Sequence, residues 1–349
     1  MEERNSGLDI LRILAALMVV SEHMILYTDA LELTASSLWG GVILLIRCLD
    51  KVNVNLFILL SGYFLCEKNF KVSRIIYTIW DVQFYSVLSV IFVFIIDNSI
   101  EFKTIVKAFF PIISYNYWFA SCYIGLLIIA PILNMIIHNL SSYQLCVAII
   151  LVYIALMIYP DCYVKYADYT FGNGRNVIWF IILYLVGGFL KKCDLKQDII
   201  NRHKFLIIAA GVSVLYITKL LKIELINKII FANNSPIILL LAVTVFEMFK
   251  NAAINCSPKV NKILKIFSTS AFGIYLLHDG IMREYIWNYI RAFYDKPKTI
   301  LYLIILFPII IFLIGVCIDC IRARIMAIVK KKTLTKLNYI DKFVNVLED

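Results

Sequence analysis

Apolar residues run in blocks of about twenty, without the strict alternation of a half-buried strand, and short polar stretches separate the blocks. At about 1.5 Å per residue, a helix of that length crosses a hydrocarbon layer about 30 Å thick. The pattern predicts ten spans, at approximately 8–27, 52–66, 75–96, 117–138, 143–159, 176–190, 205–221, 235–249, 268–289 and 299–321. Segments 37–48 and 105–113 are shorter and read as interfacial or re-entrant helices. Backbone groups in lipid must be satisfied internally, and a helix does this within one segment. The expected fold is all-α, a polytopic membrane protein of about ten transmembrane helices.

Composition supports this, with 62% hydrophobic and 17% charged residues, against about 45–50% and about 25% in a soluble domain. The net charge of +10 raises the question of nucleic acid, but its distribution answers it. Lys68, Lys71 and Arg74 follow span two, and Lys191, Lys192, Lys196, Arg202 and Lys204 follow span six. Lys250, Lys259, Lys262 and Lys265 follow span eight, and the tail carries Arg322, Arg324, Lys330, Lys331, Lys332, Lys336 and Lys342. The opposite loops hold Arg47, Lys51, Lys165, Arg175 and Lys228 among others, nearly balanced by acids. Such an asymmetry reflects loops facing the cytoplasm and its anionic lipid, with no nucleic-acid partner implied. Both termini are expected to be cytoplasmic, with residues 1–323 forming the membrane domain and 324–349 a basic cytoplasmic tail. Glu2 and Glu3 before the first span argue against a cleavable signal. The nine cysteines, Cys162 among them, show no paired spacing, so neither a metal site nor a disulfide framework is expected.

Ionisable groups inside a membrane helix are expensive and usually functional. Arg12 and His23 share the first span. Eleven steps of about 100° bring both onto one helix face, about 16 Å apart along the axis. An imidazole can take a proton from a hydroxyl or be acylated itself, although it can equally be a satisfied interhelical partner. Arg12 can snorkel to the interface and pair with Asp9 at i−3. Glu22 either faces lipid headgroups or tunes His23. In span nine, His278, Asp279 and Arg283 form a second polar cluster, lining a cavity or bonding between helices. Asp81 and Gln83 in span three have no evident partner, and His138 and His203, at helix ends, read as incidental.

The run Arg4 to Ile13 together with His23 resembles the opening of membrane-bound acyltransferase family 3, whose signature is a basic residue, ten residues of any kind, then histidine. Four further stretches match in order: Asn53 to Phe57 with Leu60-Ser61-Gly62-Tyr63-Phe64-Leu65; Tyr117-Trp118-Phe119 through Asn134; Trp179 through Gly188; and Phe272 through Trp287. The likeness spans essentially the whole chain and is nearest to members that acylate bacterial surface polysaccharides.

The resemblance implies a multi-pass protein of the bacterial cell membrane that uses acyl-CoA, most simply acetyl-CoA, from the cytoplasmic side. No permanent cofactor and no metal are expected. His23 matches the family's essential histidine and Arg12 its essential basic residue. Lys71-Val72-Ser73-Arg74 stands where the family often carries Arg-x-x-Arg. Lysine there keeps the charge but loses the bidentate phosphate geometry. Arg12, Lys71 and Arg74 would meet the phosphates of coenzyme A, and its slim arm would thread toward His23. Ser61 and Gly62 allow close approach of the donor or, equally, of a neighbouring helix. Tyr117 and Trp118 suit either an interfacial aromatic belt or stacking on an acceptor sugar, with Tyr123 one turn deeper. A transporter or flippase for a polysaccharide precursor is the alternative, but the chain shows no inverted repeat and no matched pair of broken helices.

Overall fold

The computed structural model describes residues 4–97, 100–158, 172–193 and 199–345. Cys162, Lys165 and Lys196 lie outside them. The chain opens with α1 (Ser6–Tyr27), α2 (Ala30–Thr34), α3 (Leu38–Asp50), α4 (Asn53–Leu65) and α5 (Val72–Ile96). Next come α6 (Phe102–Phe109), α7 (Trp118–Asn139) and α8 (Ser142–Tyr153), the last prolonged by a π-helical turn, Ile154–Ile158. After these follow α9 (Val177–Lys192), α10 (Ile199–Leu221), α11 (Glu224–Ile230) and α12 (Pro236–Lys250). The last three are α13 (Pro258–His278), α14 (Met282–Arg291) and α15 (Pro297–Asn345). Among the described residues there is no strand.

Among the described residues five stretches are long and apolar enough to cross a membrane: Ser6–Tyr27, Val72–Ile96, Trp118–Asn139, Arg202–Leu221 and Pro297–Thr333. The apolar helices α4, α9 and α12 are shorter, at 13, 16 and 15 residues. Starts follow the local chemistry. Asn5 caps α1 by accepting from the Leu8 amide, and Ser257 caps α13 ahead of Pro258. Ser141 and Gln144 form a reciprocal capping box at α8.

Helix α1 runs through the middle, against α3, α4, α12, α13 and α15. Its buried side chains, among them Leu8, Leu11, Ala15, Val20 and Met24, fill the core between those helices. Helices α4 and α9 approach most closely at two glycines. A Cβ on Gly62 would stand 2.2 Å from the Tyr184 carbonyl oxygen, and one on Gly187 would stand 2.4 Å from that of Leu59. Backbone packing through small residues replaces the hydrophobic drive that lipid cannot supply.

Two expectations change here. The ninth block is not one helix, because α13 ends at His278 and α14 starts at Met282. Gly280 between them has φ +64°, and the Tyr117 ring lies 2.5 Å from where its Cβ would be, so only glycine fits. Asp9 forms its ion pair with Arg4 rather than with Arg12, although it stays within electrostatic reach of Arg12. It accepts from Arg4 at 2.5 and 2.8 Å and from the Ser268 hydroxyl at 2.8 Å.

The partners missing for span three are now visible. The Gln83 amide donates to the Ala108 carbonyl at 3.2 Å. Asp81 pairs with Arg322, which also holds Asp319 at 2.7 Å, while the Tyr85 hydroxyl donates to Asp319 at 2.8 Å. This ties α5 to α15. Arg322→Ala strands two carboxylates in a low-dielectric interior, at an expected cost of about 3–5 kcal/mol. Thermal unfolding in detergent measures it, and an unchanged midpoint would contradict the assignment.

Candidate active site

His23 sits four residues before the end of α1 and meets His278, the last residue of α13. Nδ1 of His23 is 3.1 Å from Nε2 of His278, and Nδ1 of His278 is 2.6 Å from the Ile274 carbonyl oxygen. A carbonyl only accepts, so Nδ1 of His278 carries a proton. In a neutral ring its Nε2 must then accept, and Nδ1 of His23 donates to it. Nε2 of His23 is left with its lone pair and accepts no hydrogen bond among the described residues. The carbonyl at one end of the relay thus sets the tautomer of His23 at the other. His278 is fully buried, held edge-on by Trp287 and Tyr275.

His23 lines a cavity of about 670 Å³, counted out to its mouth. Phe57, Phe119, Phe272 and Tyr275 give it an aromatic floor, and Trp118 and Tyr27 stand at its sides. One wall is polar, which sequence reading missed. Glu22 is buried rather than lipid-facing. Its carboxylate accepts from Lys51 Nζ at 3.0 Å and from the Asn53 amide at 2.7 Å. Arg175 places its guanidinium 5.6 Å from the Trp118 ring centroid. The adjacent Glu22-His23 pair inside a span, and the polar Lys51 and Asn53 before an apolar block, were the available signals.

Arg283 donates at 3.0 Å to the hydroxyl of Tyr27, which lines the cavity, and lies over that ring at 5.0 Å. Asp279 is 3.5 Å from Arg283, four residues on in the chain. His23, His278, Asp279, Arg283 and Trp118 are therefore gathered in one place. Tyr117 is not with them on the cavity wall. It is fully buried beneath Gly280, with its hydroxyl 3.5 Å from that of Ser89, and serves packing instead of the entrance.

Arg12 occupies the other end of the same face of α1, with Val19 between it and His23 along that face. Its guanidinium stands 5.6 Å from the Phe64 ring and forms no ion pair among the described residues. Tyr123 bridges the two ends. It stacks on Phe119 at 6.0 Å, meets Phe272 at 6.2 Å, receives the Ser61 hydroxyl at 3.5 Å and lies within electrostatic reach of Arg12. Arg74 reaches the neighbourhood of the Tyr184 hydroxyl, which donates to Asn134 at 2.8 Å. Lys71 is exposed at the N-cap of α5. Gly62 belongs to the α4–α9 crossing, which accounts for its missing side chain without a ligand.

Among the described residues no group of three or more His, Cys, Asp or Glu is arranged to hold a metal ion. A family model described as an acyltransferase domain matches residues 5–319. No curated protein and no solved structure matches the chain.

Proposed function

Because the chain belongs to acyltransferase family 3 and is a multi-pass membrane acyltransferase, we propose that it moves an acetyl group from cytoplasmic acetyl-CoA to a hydroxyl of a cell-surface or lipid-linked carbohydrate. In this reading the chain crosses the bacterial plasma membrane about ten times, with both termini and the basic tail in the cytoplasm. The Arg12 end of α1 then faces inward and the His23 cavity outward.

The observation that carries the reading is the free Nε2 lone pair of His23, presented to a cavity and oriented by His278. The acceptor hydroxyl gives its proton to Nε2 as its oxygen attacks the thioester carbonyl carbon. The carbon–sulfur bond breaks, and the thiolate recovers the proton from His23 as coenzyme A leaves. A transient acyl-imidazole would use the same lone pair. Trp118 and Tyr27 offer flat faces for a sugar ring, and Asn53, Glu22 and Lys51 offer hydroxyl partners.

On the donor side, Arg12 and Arg74 bind coenzyme A phosphates, with Lys71 assisting and Ser61 and Tyr123 along the thioester path. A half-buried guanidinium that forms no ion pair among the described residues, its nearby Asp9 being held by Arg4, suits a phosphate brought by the substrate. Arg12→Gln is expected to raise KM for acetyl-CoA at least about tenfold, with Arg12→Lys recovering part of the loss, since truncating a buried charge contact costs about 2–5 kcal/mol. An unchanged KM would remove Arg12 from the donor site. The reaction itself is tested with radiolabelled acetyl-CoA given to inside-out vesicles. Label in the glycan is the expected result, and none in vesicles supplied with acceptor would overturn it.

A further inference from the structure

A second cavity, of about 620 Å³, opens beside the first and shares Glu22, Leu26, Lys51, Arg175 and Asn233 with it. Arg47, Lys228 and Phe231 are among its other walls. Three cations, Arg47, Lys51 and Arg175, therefore face one carboxylate, and that carboxylate is already committed to Lys51 and Asn53. Arg47 and Arg175 form no ion pair among the described residues. Nε of Arg47 is buried without a hydrogen-bond partner. Asp50, one turn on along α3, is directed at Ser21 of α1 instead. Behind the wall, Lys219 lies 4.8 Å from the Phe231 ring centroid and adds positive charge.

The Arg47 guanidinium, with its Nε buried and unpaired, is costly unless something pairs with it, and the Arg175 guanidinium stands exposed at the same cavity. Their planar forks match the oxygens of a phosphate or carboxylate. We infer that this cavity is an oxyanion subsite, holding a phosphate or carboxylate carried by the acceptor while the hydroxyl to be acylated reaches His23 through the shared wall. The acceptor is accordingly an anionic glycan. The charge lies either in the phosphate that joins the glycan to its carrier or in an acid sugar of the glycan itself. The link to an acceptor rests on the acyltransferase reading above, whereas the anion site does not.

The test uses the full chain in neutral phosphatidylcholine nanodiscs, with coenzyme A at saturation to occupy the donor side. Radiolabelled pyrophosphate is the probe, followed by equilibrium dialysis. Saturable binding is expected in the wild type and in His23→Ala. Binding at least about tenfold weaker is expected in both Arg47→Gln and Arg175→Gln, two variants on different elements whose folding is checked by thermal unfolding. No saturable binding in the wild type, or wild-type affinity in both arginine variants, would overturn the inference. Displacement by a sugar 1-phosphate assigns the charge to the carrier linkage, and displacement by a hexuronate assigns it to an acid sugar. Displacement by neither would refute an acceptor role. The His23→Ala arm needs no acyl transfer, so a failed enzyme reading and a failed anion site give different results.

Discussion

His23→Ala is expected to lower acyl transfer at least about 10³-fold, with the protein still folded, in the membrane and able to bind acetyl-CoA. General base catalysis alone is worth about 10²–10⁴-fold, and this variant removes the base itself. His278 separates catalysis from mere architecture. Its Nε2 accepts from Nδ1 of His23 at 3.1 Å and so keeps the reactive lone pair on the cavity side. His278→Ala should lower kcat while leaving KM for acetyl-CoA near the wild-type value. In His278→Gln, a side-chain oxygen can accept the same proton and restore part of kcat. Steady-state kinetics on nanodisc-embedded protein reads both quantities. Full activity in His23→Ala, or equal kcat in all the His278 variants, would dispose of the relay.

Gly62→Val is expected to abolish the folded protein. The first added carbon would sit 2.2 Å from the Tyr184 carbonyl oxygen and 2.9 Å from the Tyr184 Cα, which is backbone and unable to swing aside. Gly187 faces the same crossing, with its would-be Cβ 3.0 Å from the Gly62 Cα. Overpacking that side chains can absorb costs about 1–3 kcal/mol, and a clash between two helix backbones exceeds that range. Size-exclusion of detergent-solubilised Gly62→Val should show aggregate in place of a monodisperse peak. A normal peak with raised KM for acetyl-CoA would instead return Gly62 to the donor path.

Sequence reading succeeded where one helix decides the matter. The Arg12–His23 alignment follows from helical period alone, and α1 is unbroken from Ser6 to Tyr27. It failed where a break was needed. The block from Phe272 to Trp287 is apolar enough to read as continuous, yet Asp279 and Gly280 interrupt it, and only the packing of Tyr117 under Gly280 reveals why. Gly62 is a similar case, since the sequence permits ligand approach and helix packing alike.

Apolar periodicity by itself determined that the chain is helical and built for lipid, because hydrophobic block length and internal hydrogen bonding are properties of single segments. The partners were settled only by the tertiary structure. His23 with His278 are 255 residues apart in the chain, and Lys51 with Glu22 are 29 apart. Which side chains meet depends on how helices cross, and the crossing is governed by shape and polar complementarity between surfaces that no single segment encodes.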